Sequence, residues 1–294
     1  MRTSLILAIC CAVACGGAKP TPDHETHAAS TFVPTSFSVE VTGAGRPVIF
    51  IPGLTCDGHV WDATLAHLGG KVQAHVLSLA GFAGKPAIAD PLLPKVRDEL
   101  VEYIRQNHLE HPIVVGHSLG GFMTFWVAET APELVAGGVA VDGAPFLPAL
   151  MDPNATVASM AANAKTMTDQ MRSPEQFQAG VRAFMGGMIT DPSKHAALVD
   201  ASAKSDPKTS ADAMYLMFQT DLRGDLGKIT APIVAIVADG NGTIPRAALE
   251  ASWHAQIDKV PAHELVVIEH SKHFVMQDQP EAFYAALDAF LAKH

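Results

Sequence analysis

From residue 36 onward, short apolar, β-branched runs alternate with longer stretches of helical period, separated by turns rich in Gly or Pro. The apolar runs predict strands at Phe37–Val41, Val48–Ile51, Ala74–Leu79, Ile113–Val115, Gly138–Val141, Ile233–Val237 and Leu265–Ile268. Several lack polar alternation, the pattern of strands covered on both faces. Between them, Asp90–Asn107 puts Val96, Leu100, Tyr103 and Ile104 on one stripe and keeps Asp98, Glu99, Glu102 and Arg105 off it, as an amphipathic helix does. Phe122–Thr130, Pro245–Val260 and Pro280–Lys293 also read as helices. The last two open on Pro, whose missing N–H does no harm there. Such alternation predicts an α/β fold on a mostly parallel, doubly wound sheet.

Residues 144–230 break the rhythm. They hold no strand pattern, carry helix starts at Ser173-Pro174 and Asp191-Pro192, and contain Met151, Met160, Met167, Met171, Met185, Met188, Met214 and Met217. With 11 Met in the whole chain, the thioethers are concentrated here. This predicts a helical cap inserted between two strands of the sheet. Flexible, polarizable side chains would suit a lid over an apolar group, although filling a core is the commoner task of a single Met.

The first residues read as an address. Arg2 precedes an apolar run, Leu5–Ala14, that is too short for a bilayer needing roughly 20 helical residues. Residues 1–14 are therefore expected to be a signal peptide. Ala12-Val13-Ala14-Cys15-Gly16 also resembles a bacterial lipobox, which implies a lipid on Cys15 and a protein exported to the periplasm or anchored at a membrane by that lipid. Residues 15–35 are expected to form a flexible linker, with the folded body spanning 36–294. His24 and His27 lie in that linker with no further ligand nearby, so no metal site is expected from them.

Composition narrows the function. Lys and Arg number 20 against 30 Asp and Glu, a net charge of −10, and no basic run is present, which excludes a phosphate-binding surface for nucleic acid. The four cysteines, at 10, 11, 15 and 56, are too skewed for a disulfide framework. Cys56 is expected to be a packed thiol.

The candidate chemistry sits at Gly116-His117-Ser118-Leu119-Gly120, which a β-branched strand enters and a helix starting at Gly121-Phe122 leaves. A Ser on a sharp strand-to-helix turn projects its Oγ above the sheet edge, and the flanking glycines admit the crowded backbone. Such a hydroxyl needs a base. His273 is the candidate, in a loop after the last strand that opens on the same sheet edge; His270 lies closer to the strand end and is the competitor.

These features resemble the α/β-hydrolase superfamily, in the group with a helical cap inserted after strand 6 of the family's count. The resemblance covers residues 36–294 and rests on Ile51-Pro52-Gly53-Leu54, Gly116-His117-Ser118-Leu119-Gly120-Gly121, and His273-Phe274 followed by Gln279-Pro280-Glu281. It implies an oxyanion hole from the backbone N–H groups of Leu54 and Leu119 and a carboxylate that orients His273. The position where the family's pattern puts that acid is Asn241. Asp142, at the tip of the strand after the nucleophile helix, is preferred in its place, with Asp239 as the alternative. The resemblance implies a serine hydrolase that cleaves a small, ester-like, apolar substrate without cofactor or metal. A C–C bond hydrolase, an amidase or an aminopeptidase remains open on the same fold, as does a non-catalytic surface lipoprotein. Trp61, Phe122, Met123 and Phe146 flank the motif loops. The first three are expected in the core, and Phe146, which opens the cap, is expected at the acyl pocket.

Overall fold

A computed structural model of the protein describes residues 32–294. The expected signal peptide, Cys15 and most of the expected linker lie outside the described residues. Seven strands form one sheet: β1 (Phe37–Thr42), β2 (Pro47–Ile51), β3 (Gln73–Leu79), β4 (Ile113–His117), β5 (Gly137–Val141), β6 (Ile233–Ala238) and β7 (His263–Ile268). The helices are α1 (Asp62–Leu68), α2 (Leu92–Gln106), α3 (Leu119–Thr130), α4 (Val157–Met171), α5 (Pro174–Met188), α6 (Ala196–Ser202), α7 (Pro207–Gln219), α8 (Arg246–Ile257), α9 (Val275–Asp278) and α10 (Pro280–Lys293). Among the long elements, boundaries differ from the sequence pattern by a residue or two, except that α3 begins at Leu119, immediately after Ser118, and α8 ends at Ile257, three residues short of Val260. The short helices α1 and α9 had no pattern long enough to declare them.

The strand order is β1-β3-β2-β4-β5-β6-β7, with β1 antiparallel to β3 and every other pair parallel. Successive residues on a strand point to opposite faces, and each face has its own core. Ile49, Ile51, Val114, Ala140, Ala235 and Val237 pack with α2, α3 and α8. Val48, Phe50, Val115, Val139, Val234 and Ile236 pack with α1 and α10. The sheet is thus doubly wound, and the absence of polar alternation in its inner strands β2, β4, β5 and β6 follows from this two-sided burial.

Two features of the topology place the site. The chain leaves β2 toward β3 and later enters β4 on the other side of β2, so the carboxyl ends of β2 and β4 flank a switch point where open α/β sheets bind ligands. Ile51 pairs with Gly116 across that point, which brings the Leu54 loop beside Ser118. The second feature is the cap, α4 to α7, which leaves after β5 and returns at β6 with no strand between. It departs from the fifth strand in chain order. A position after strand 6 assumes one more N-terminal strand than the described residues contain. Within the cap, Ser173 and Pro174 do open a helix, α5, with Pro174 in its first turn.

The body also reaches further back than residue 36. The N–H and hydroxyl groups of Thr35 and Ser36 all donate to the Glu99 carboxylate, at 2.7–2.8 Å, and Phe32 packs on the core. The end of the expected linker is therefore part of the fold. Among the described residues, no helix is long and apolar enough to cross a membrane.

Candidate active site

Ser118 sits between β4 and α3 with φ +56° and ψ −114°, a left-handed conformation that a non-glycine residue adopts only when its surroundings impose it. Its N–H donates to the carbonyl of Val141 at 2.8 Å, and its carbonyl accepts from Phe122 N–H at 3.0 Å. The turn closes only because its neighbours lack side chains. A Cβ at Gly116 would lie 1.9 Å from the Gly120 carbonyl oxygen, and one at Gly120 would lie 2.2 Å from that of Ile51.

His273, in the loop after β7, directs Nδ1 at Asp142 Oδ2, 2.6 Å away. A carboxylate only accepts, so the proton is on Nδ1 and the lone pair of the neutral ring is on Nε2, the atom a general base uses. Both side chains are shielded from solvent, 21% exposed for His273 and 15% for Asp142. The other Asp142 oxygen accepts from Ala238 N–H at 3.0 Å, which ties the carboxylate to the neighbouring strand.

Asp239 does something else. Its carboxylate accepts from the N–H groups of Asn241, His270 and Ser271. Burial works to raise its pKa, but those three donors and the N–H of Gly242 together hold it below the usual carboxylate range. Asp239 therefore clamps the β6 loop to the β7 loop. Asn241, at φ +60°, is part of the same clamp, and the competitor His270 enters it through its backbone.

A cavity of about 190 Å³ opens above the switch point. Ser118, His273, Asp142 and Leu54 all line it, together with Leu147, Phe184, Met185, Met188, Met214 and Met217. Apart from Asp142, no wall residue carries a fixed charge. The N–H groups of Leu54 and Leu119 donate to no protein acceptor among the described residues. Leu119 is the first residue of α3, so its N–H is one of the unpaired donors at a helix start.

The site stands within residues 48–286, which the sequence profile of the alpha/beta hydrolase family matches, while Ser118, His273 and Asp142 are assigned from geometry alone. The chain belongs to the alpha/beta hydrolase family. Among curated relatives, this hydrolase is 25% identical to the pimeloyl-[acyl-carrier protein] methyl ester esterase of Nitrosomonas europaea, over 86% of this chain and 99% of that protein. It is 24% identical to the Vibrio cholerae enzyme of the same name, over 86% and 97%. It is also 26% identical to the biotin biosynthesis bifunctional protein BioHC of Cellvibrio japonicus, where 83% of this chain spans 47% of the larger protein. Among solved structures, an esterase from Exiguobacterium antarcticum superposes with a TM-score of 0.74 at 16% identity, over 87% of this chain and 95% of that one. A thermophilic esterase from Thermogutta terrifontis gives 0.73 at 20%, over 87% and 93%.

Other expectations for this hydrolase meet different outcomes. Trp61, Phe122 and Met123 are fully buried and away from the cavity wall. Phe146 is not at the acyl pocket: it is fully buried with Ala149 and Ala155, under the guanidinium of Arg223 at 4.8 Å. The residues that do line the cavity from that segment are the following turn's Leu147 and Leu150. Cys56 is a buried free thiol, and burial above all pushes its pKa up to about 12.

His117 lies inside the elbow motif with no role assigned by the sequence, yet its Nε2–H donates to the His273 carbonyl at 3.0 Å. Burial first, and the neighbouring His273 second, hold its pKa well below the usual imidazole value. A histidine inside the elbow motif was the available signal, but its partner lies 156 residues away. A group of potential metal ligands, His254, Asp258 and His263, lies at the opposite end of β7 from His273 and contributes nothing to the cavity wall.

Proposed function

We propose that the protein is a serine hydrolase that cleaves carboxylic esters with an apolar acyl group. The observation that carries this reading is the 2.6 Å bond between His273 Nδ1 and Asp142, two residues that share a cavity with the strained Ser118. Ser118 Oγ attacks the ester carbonyl while His273 Nε2 takes its proton. Asp142 holds the ring in the required tautomer and stabilises the imidazolium that forms. The N–H groups of Leu54 and Leu119 stabilise the oxyanion, each by roughly 3 kcal/mol. His273 then returns the proton to the leaving alcohol, and water, activated by the same base, releases the acid from Ser118.

The relatives named as methyl ester esterases support an ester as the scissile group. An aminopeptidase would need a free carboxylate for the substrate's ammonium group, and Asp142, the carboxylate on this wall, is already bonded to His273 and to Ala238 N–H. Against a purely binding role, Asp142 offers His273 the carboxylate that Asn241 cannot. A fluorophosphonate probe tests the reading. It is expected to label one site, on the Ser118 peptide, with labelling lost in Ser118→Ala; an unlabelled, folded protein contradicts it.

We further propose that residues 1–14 direct export and that Cys15 carries a lipid, on the strength of Arg2, the short apolar run and Ala14-Cys15-Gly16. Radiolabelled palmitate incorporated by the wild type and lost in Cys15→Ala is the expected result; label retained by the variant, or absent from both, contradicts it.

A further inference from the structure

A second cavity, about 330 Å³, lies under the cap beside the first, and Leu54, Phe184 and Met214 belong to the walls of both. Beyond that junction the wall is Met167, Met171, Phe177, Gly180 and Val181, with the amides of Gln170 and Gln176 as its largest polar groups and no charged side chain. Resting on the ester-hydrolase reading above, we propose that the two cavities are one bipartite acyl site. The ester carbonyl lies at Ser118, and the acyl chain runs past Leu54 and Phe184 into the second cavity. The preferred substrates are esters of long, apolar monocarboxylic acids with a small alcohol.

Three independent observations carry this. Direction comes from the chemistry of the two walls. The leaving alcohol must face His273, which protonates it, and His273 and Phe274 line the first cavity only. The second cavity instead meets the first at Leu54, the oxyanion side, so the arm that enters it is the acyl arm. The chemical class comes from the lining. A chain ending in a carboxylate would lose its hydration there without gaining a cation, whereas thioethers adapt to an apolar chain.

The third observation is Gly180. It lies inside α5, where Gly weakens a helix, yet its φ is ordinary and a Cβ there would meet nothing within 4 Å. Neither backbone conformation nor packing requires it. Gly180 is itself exposed, and unlike Gly186 and Gly187 of the same helix it lies on the wall of the second cavity, which its missing side chain leaves open. Phe184, one turn further along α5, is 52% exposed despite its size, at the junction where a bound chain would cover it.

Two isomeric esters test the proposal, methyl nonanoate and octyl acetate, with methyl acetate as the short reference. The wild type is expected to prefer methyl nonanoate to octyl acetate in kcat/KM by about tenfold or more. Gly180→Leu, which adds a side chain on the wall of the second cavity, is expected to lower the ratio of methyl nonanoate to methyl acetate by at least about tenfold. Val181→Phe, from the same wall, serves if Gly180→Leu fails to fold. An equal or greater rate on octyl acetate, or an unchanged ratio in a folded cavity variant, overturns the proposal and leaves the ester-hydrolase reading intact. Failure to hydrolyse any of the three esters, with no fluorophosphonate labelling, overturns both.

Discussion

The ring of His117 is a buried donor to the backbone of His273: Nε2 lies 3.0 Å from the carbonyl oxygen, and Nδ1 has no partner. The motif's own histidine therefore holds the loop that carries the candidate base; burial keeps the ring neutral, and of the two neutral tautomers only the one with its proton on Nε2 can make this bond.

Replacing it with His117→Phe keeps the bulk but leaves the His273 carbonyl unpaired. The expected loss is about 1–3 kcal/mol in urea unfolding, with kcat falling by about tenfold and KM changing less, because the base shifts while the acyl site stays. The pH dependence has a definite sign. The folded protein keeps this ring neutral, whereas the unfolded chain protonates it below the ordinary value of 6.5, so this contribution to stability is lost as pH falls below that point. The variant should lose that part of the acid sensitivity.

Glu129 works in the opposite direction. It lies near the end of α3, one carboxylate oxygen is buried without a partner, and its pKa is raised from 4.5 to about 7, by burial first and by Asp225 second, against Lys228 and Arg97. The folded state keeps a proton that the unfolded chain has already released, so stability is expected to fall as pH rises from about 5 through 7. Glu129→Gln should flatten the dependence in that interval. A variant whose unfolding curves keep the wild-type pH slope contradicts this.

Two glycine substitutions should part in sign. Gly116→Ala places a methyl group against the Gly120 carbonyl and is expected to destabilise by about 3 kcal/mol or more and to abolish hydrolysis. Gly186→Ala, in α5 with nothing within 4 Å, is expected to stabilise by about 0.5–1 kcal/mol. Thermal unfolding of both variants checks the pair.

The parts of the site that were legible in the sequence are local. Ser118 could be read because strand, motif and helix are contiguous, and His273 because the last strand announces its loop. The choice between Asp142 and Asp239 was less accessible, since it depends on which carboxylate the loop after β7 reaches across β6, a relation between three strands. Phe146 failed for a related reason. The cap has no sheet to set its period, so apolar character did not say which residues face Ser118. The Met concentration survived that difficulty, with Met185, Met188, Met214 and Met217 on the first cavity and Met167, Met171 and Met214 on the second.

Cys56 is expected to be unreactive in the folded protein, since its thiolate is disfavoured by burial and its nearest polar partner is Ser202, 3.7 Å away. Iodoacetamide labelling followed by mass spectrometry should leave the Cys56 peptide unmodified at pH 8 until denaturant is added. Prompt labelling of that peptide in the native protein contradicts the packed-thiol assignment.

In the proposed mechanism Asp142 orients His273 for attack by Ser118, while Asp239 only ties two loops together. The most direct test is kcat on a short p-nitrophenyl ester for Asp142→Asn and Asp239→Asn, each verified as folded. Asp142→Asn is expected to lose about 10⁴-fold, and Asp239→Asn to show a lowered melting temperature with kcat within about tenfold of the wild type. Full activity in Asp142→Asn, or the larger loss in a folded Asp239→Asn, would contradict that mechanism.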